Sequence, residues 1–181
     1  MGAILKQEPV KLICGLFWNP EVQPETIYRV IEAEWGTMDA QSPIFDFDFT
    51  AYYHDEMGTV IRKQYVAFEK LVDIDAIPDY KIRSNALEDE HFARDGKRSA
   101  NVDPGYIADA KLVMATTKNL PHRVYIGKNI YSDLQMMYKK PTFFSISWTF
   151  ADVKQPELIT FFNHVREMYI RQIKTLRQNE V

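Results

Sequence analysis

The chain has a single cysteine, Cys14, so no disulfide framework can hold it together. Its place inside the apolar run Val10 to Trp18 predicts a buried, unreactive thiol in a reducing compartment, because apolar surroundings raise a thiol's pKa. No stretch approaches the roughly 18 to 20 apolar residues of a membrane span. The first residues also lack the charged, apolar and small-residue succession of an export signal, so the expected location is the cytoplasm. A formal net charge of -3 supplies no overall basic field, and with it goes the sequence-independent phosphate attraction behind most nucleic-acid binding. The common enzyme templates are missing as well. There is no GxxxxGK[ST] phosphate loop, GxGxxG turn, HExxH helix, paired CxxC, GxSxG elbow or Asn-Lys-x-Asp guanine reader.

What is present predicts a packed protein. With 181 residues, 46% of them hydrophobic and 13% aromatic, the chain can bury roughly 70% of its unfolded surface without metal or disulfide staples. One domain spanning 1–181 is the expectation. Val10 to Trp18 is a nearly unbroken apolar run closed by Asn19-Pro20, which predicts a strand buried on both faces at the centre of a sheet. Pro24 opens a helix whose Ile27, Val30, Ile31 and Trp35 recur at helical spacing before Gly36. From Ile44 to Thr50 the pattern alternates, with Phe45, Phe47 and Phe49 on one face and Asp46, Asp48 and Thr50 on the other. With Val60 to Val72 it predicts a long hairpin joined through His54 to Gly58. Asn85 and Glu88 resemble a capping box opening a helix that stops at Asp95-Gly96. Asn101 to Tyr106 reads as turn; Ile107 to Lys118 is helical by its Ala, Lys, Leu and Met content yet strand-like at Thr116 and Thr117, so helix and strand both stay open there, with helix preferred. Arg123 to Ile126 and Ile130 to Tyr138 bracket a hairpin turn at Gly127-Lys128-Asn129, and Thr142 to Phe150 forms a further strand. Pro156 begins a long final helix with an apolar stripe through Phe162, Val165, Tyr169 and Ile173. These elements predict an α+β fold, a mostly antiparallel sheet packed by about three helices.

Chemistry concentrates in Gly96 to Tyr106. This run holds two cations, an amide, a carboxylate, a phenol and two glycines. A turn at Asp103-Pro104-Gly105 frees successive backbone N–H groups, which beside Lys97 and Arg98 would make an anion-binding nest. The competing reading makes Asn101 and Asp103 simple turn formers and leaves the cations in water. Downstream, Lys111, Lys118, His122 and Arg123 add donors, and Thr116 and Thr117 add hydroxyls. The candidate ligand-binding set is therefore Arg98, Asn101, Asp103, Gly105, Tyr106, Lys111, Lys118, His122 and Arg123. Asp46 and Asp48, at i and i+2 of the alternating segment and followed by Glu56, form a second constellation suited to a hard cation such as Mg²⁺. His122 and Asp48 are the candidate catalytic groups. The aromatic cluster Phe143, Phe144, Trp148 and Phe150 reads as core or sheet surface, since no basic run is interleaved with it.

Read in order, several segments resemble a bacterial and archaeal family known only as a domain of unknown function, some of whose members carry the label "GTP-binding protein". The resemblance rests on Val10 to Leu16, Phe47 to Tyr53 with Glu56-Met57-Gly58, Asn85 to Glu88, Lys97 to Tyr106, Ala115 to Asn119 and His122 to Gly127, continuing through Ile130-Tyr131. It covers nearly the whole chain and implies no catalytic roles. Three functions stay open: binding of, or chemistry on, a small phosphorylated or nucleotide ligand at the basic turn; a divalent-metal-assisted hydrolase or phosphoryl-transfer enzyme; and a non-enzymatic module whose polar turn orders at a partner protein.

Overall fold

The computed structural model describes residues 2–3 and 6–179. Nine buried residues in succession make β1 (Val10–Trp18), and side chains alternate along it. Leu12, Cys14 and Leu16 face one side and Ile13 the other, so β1 needs cover on both. The first side receives α1 (Pro24–Trp35) through Ile27, Ile31 and Trp35, and α3 (Ile77–His91) through Ile77 and Leu87. The second receives the long α4 (Pro156–Asn179) through Leu158, Phe161, Phe162 and Val165.

Every strand pairing is antiparallel. β1 lies between β4 (Arg62–Val72) and β7 (Ala100–Ala108). Outward from β4 come β2 (Met38–Gln41) and β3 (Phe45–Asp46). Outward from β7 come β8 (Lys111–Thr116), β10 (Ile130–Lys139), β11 (Thr142–Ser145) and, also on β10, β9 (Val124–Gly127). Lys128 (φ 53°) and Asn129 (φ 61°) turn β9 into β10 with the two positive φ values of a type I′ hairpin. This is the expected α+β architecture, with the four-residue α2 (His54–Met57) as a fourth helix. Cys14 is fully buried, and burial pushes its thiol well above the ordinary value.

Several expectations are overturned. The alternating segment Ile44 to Thr50 yields only the two residues of β3. Phe47 donates one further backbone bond to Ile61 (2.8 Å), after which the chain turns so that Phe47 and Tyr53 pack on Phe17. α3 opens at Ile77, with Pro78 in its first turn and Asn85 and Glu88 mid-helix, so those two do not form a capping box. Asp95 (φ 53°) and Gly96 (φ 74°) form the hairpin turn between β5 (Ala93–Arg94) and β6 (Lys97–Arg98).

The largest correction concerns Asn101 to Tyr106, which lies within β7 in place of a turn; of the two readings open for Ile107 to Lys118, the strand is the one found, at the end of β7 and in β8. Asp103, Pro104 and Gly105 lie within β7 opposite Gly15, Cys14 and Ile13. Pro104 is tolerated because the β7–β8 ladder runs only from Gly105 to Ala108, so the missing N–H interrupts no pairing toward β8. Gly105 is required where that ladder ends, since a Cβ there would lie 2.4 Å from the Val113 carbonyl oxygen. The run expected to order at a partner surface is thus a strand with few exposed side chains.

Candidate functional site

Beyond Gly105 the two strands no longer pair. Residues of the two parted stretches, Asn101 and Asp103 on one side and Ala115 and Thr116 on the other, line a cavity of about 760 Å³. That volume is within the roughly 300–1,000 Å³ of small-molecule sites. The β3–α2 connection covers it with Phe47, Phe49, Tyr52 and Tyr53, while α3 reaches in from the other side with Lys81, Asn85 and Glu88.

Strand register sets the floor. Lys63 stands opposite Phe17, and Tyr65 opposite Gly15, whose missing Cβ leaves room for the Tyr65 ring at 3.1 Å. Lys63 is 2% exposed and its ammonium is 2.6 Å from Asp152 Oδ2. The Tyr65 hydroxyl donates to the same oxygen at 3.1 Å. A single 3-10 turn, Asp152–Lys154, presents that carboxylate just before α4. The Lys63 ammonium also lies 4.0 Å from the Phe17 ring centroid and 4.9 Å from those of Phe47 and Tyr65. Burial pushes its pKa down against the opposing pull of Asp152. It pushes the phenols of Tyr53 and Tyr65 up, so both stay neutral donors.

A second ionic group joins α2, α3 and β7. Arg98 donates to both oxygens of Glu56, at 2.5 and 3.0 Å, and also to Glu88 and to Asn101 Oδ1 at 3.0 Å. Glu88 accepts from the Val102 backbone N–H at 2.8 Å, and burial pushes its carboxyl above the ordinary value. Lys81 donates to Asp103 at 2.7 Å. Burial would raise the Asp103 carboxyl, but Lys81, Lys63 and Asn101 outweigh it and hold it below its usual value. Because Arg98 is a pure donor, Asn101 must turn its oxygen toward it, and this leaves Nδ2 buried without an acceptor in hydrogen-bonding geometry. Arg123 donates to Asp133 at 2.7 Å.

The hydrogen bonds to Arg98 hold the Glu56 carboxyl below its ordinary 4.5. Glu56 therefore contributes stability above that value and loses it as pH falls through its lower folded value. Glu56→Gln should cost about 1 kcal/mol at neutral pH, the scale of a part-exposed pair. In urea titrations the gap from the native protein should close under acid; a gap that persists there would mean that the Arg98 pair is not its source.

Five of the expected ligand residues, Arg98, Asn101, Asp103, Lys118 and Arg123, line the cavity. Four do not. Gly105 serves strand packing, Tyr106 is buried in the α1/α3 core, and Lys111 is exposed at the far end of β8. His122 stacks on Trp148, with centroids 5.3 Å apart, and its Nε2 is 3.7 Å from Asp133 without a hydrogen bond. The Mg²⁺ constellation does not assemble, because its carboxylates are apart and two are engaged by arginines. Asp46 pairs with Arg62 at 2.6 Å, Glu56 pairs with Arg98, and Asp48 is exposed outside the cavity. Among the described residues no group of three or more His, Cys, Asp or Glu side chains is placed to hold a metal ion. Lys63, Tyr65, Lys81 and Asp152 were not expected. The one available sign was a lysine and a tyrosine two apart, hence on one face, in a segment rich in β-formers.

No helix among the described residues is long and apolar enough to cross a membrane. No curated protein and no solved structure matches the chain. Residues 8–169, which include every residue lining the cavity, match the family described as Domain of unknown function (DUF4416), and the chain belongs to that family.

Proposed function

We propose that the cavity between the parted ends of β7 and β8 binds a small phosphorylated ligand carrying a planar ring and a single anionic group, with a nucleoside monophosphate as the simplest example. The observation that carries this reading is the set of donors left uncommitted around an aromatic wall. Lys118 has no carboxylate partner among the described residues, and its ammonium lies 4.0 Å from the Tyr52 ring centroid. The Thr116 and Thr117 hydroxyls stand beside it, and Asn101 Nδ2, next to the Asp103 carboxylate but without a hydrogen bond in good geometry, is a further buried donor in the lining. An unpaired buried donor costs about 1–3 kcal/mol, which a ligand oxygen would return.

Charge selects among ligands. Lys63, Lys81, Arg98, Lys118 and Arg123 are balanced in the lining by Glu88, Asp89, Asp103, Asp133 and Asp152. A neutral cavity suits one anionic group and poorly suits a triphosphate, so the reading favours nucleotides without extending to GTP. The single buried thiol is consistent with work in a reducing cytoplasm.

Saturating monophosphate should raise the melting temperature by an amount equivalent to about 2.7 kcal/mol at a hundredfold excess over Kd. Lys118→Ala should weaken calorimetric affinity by roughly tenfold, and Tyr52→Ala by about 1–3 kcal/mol if a ring stacks there. Melting curves unmoved by nucleoside and sugar monophosphates would sink the reading, and GTP binding tighter than GMP would sink its charge argument.

A further inference from the structure

We propose that Lys63 is a reactive amine, forming an imine with a carbonyl group on the ligand. This rests on the reading of the cavity as a ligand site. Three observations converge on it. The ammonium is at the cavity wall, on a strand whose register sets Lys63 opposite Phe17, with the Phe47 ring also beside it. Its one ionic partner among the described residues, Asp152, is itself 3% exposed. Tyr65 shares that carboxylate, so a proton acceptor and a neutral hydroxyl donor stand together beside the nitrogen. Lysines that attack carbonyls are desolvated in this way, because only the free amine carries a lone pair. The lowered basicity of Lys63 supports the assignment.

The step balances within these groups. The ammonium passes one proton to Asp152 Oδ2, and the freed lone pair forms a C–N bond as the carbonyl π bond breaks. The oxygen takes the Tyr65 hydroxyl proton, which Asp152 replaces. A second proton then passes from nitrogen through Asp152 to the new hydroxyl, which leaves as water while C=N forms. Nothing is oxidised or reduced, one water is released for each imine, and Asp152 ends as a carboxylate.

Glycolaldehyde phosphate, a carbonyl compound with one phosphate monoester, is a suitable probe. Incubating the full chain with it at neutral pH, reducing with borohydride and mapping peptides by mass should place the adduct on Lys63 in roughly tenfold excess over any exposed lysine. Lys63→Arg should abolish that adduct. Tyr65→Phe should slow its formation several-fold with Lys63 still the labelled residue, a test independent of whether Lys63→Arg folds. Adducts confined to exposed lysines, with nucleoside monophosphates still raising the melting temperature, would overturn the reactive amine and spare the ligand site. Loss of both signals would remove the ligand site and this inference with it. An equal trapping rate in Tyr65→Phe would overturn the proton route.

Discussion

Gly105→Ala should destabilise the protein by about 3 kcal/mol or more, at the upper end of what overpacking does. The added Cβ would lie 2.4 Å from the Val113 carbonyl oxygen, 2.7 Å from Met114 Sδ and 3.0 Å from Met114 Cα. The sulfur sits on a flexible side chain and can move aside. The carbonyl and the Cα belong to β8 and can retreat only by breaking pairs in the short β7–β8 ladder. A loss of that size should lower the melting temperature by roughly 6–12 °C in a chain of this length. An unchanged urea midpoint would show that the strands separate there at little cost. Gly105 drew notice as part of a turn expected to form an anion-binding nest; in the fold it lies in a strand, and the backbone that approaches it belongs to β8.

Asp152→Ala should be at least as damaging, about 3–5 kcal/mol, because it strands the Lys63 ammonium in a site where it is 2% exposed. It also deprives the Tyr65 hydroxyl of its acceptor. The decisive comparison is the double variant Lys63→Met/Asp152→Leu. Replacing both members of a buried pair by apolar groups is often neutral, so much of the lost stability should return in the double variant. Denaturant titrations of the two single variants and the double variant measure the coupling directly. A loss in Asp152→Ala below about 1 kcal/mol would mean that water reaches Lys63 and the pair is not truly desolvated.

The elements that could be read in the sequence are those where local and long-range preferences agree. β1 announces itself by a nearly unbroken apolar run, α1 and α4 by a proline followed by an apolar stripe, and the β9–β10 turn by Gly127-Lys128-Asn129. Asn101 to Tyr106 misleads because its Asn, Asp, Pro and Gly favour turns locally, while pairing with β1 imposes a strand on them. Glu88 misleads in a similar way. Three residues after Asn85 it fits a capping box, yet its carboxylate is taken by Arg98 and the Val102 N–H. The site was half legible. Arg98, Asn101, Asp103, Lys118 and Arg123 stood out as clustered donors, but Glu56, Glu88 and Lys81, which pair with them, come from distant segments, and no spacing links them. Lys63 was hidden for a different reason: in the sequence of a strand, a lysine facing water and a lysine facing a buried carboxylate look identical.

The central position of β1 also governs how the chain must assemble. Cys14 faces Val66 across one ladder and Pro104 across the other, so neither edge of this strand is satisfied by a neighbour in sequence. During synthesis from the N-terminal end its nine residues, all but Lys11 apolar or glycine, emerge well before either partner, and the sheet closes only once β7 has been made. Such high contact order makes folding slow compared with helical proteins of similar size, and it leaves a sticky segment unpaired in the meantime. Until β4 and β7 are in place, β1 is therefore a segment whose apolar residues and backbone groups are exposed to association, which the finished protein buries.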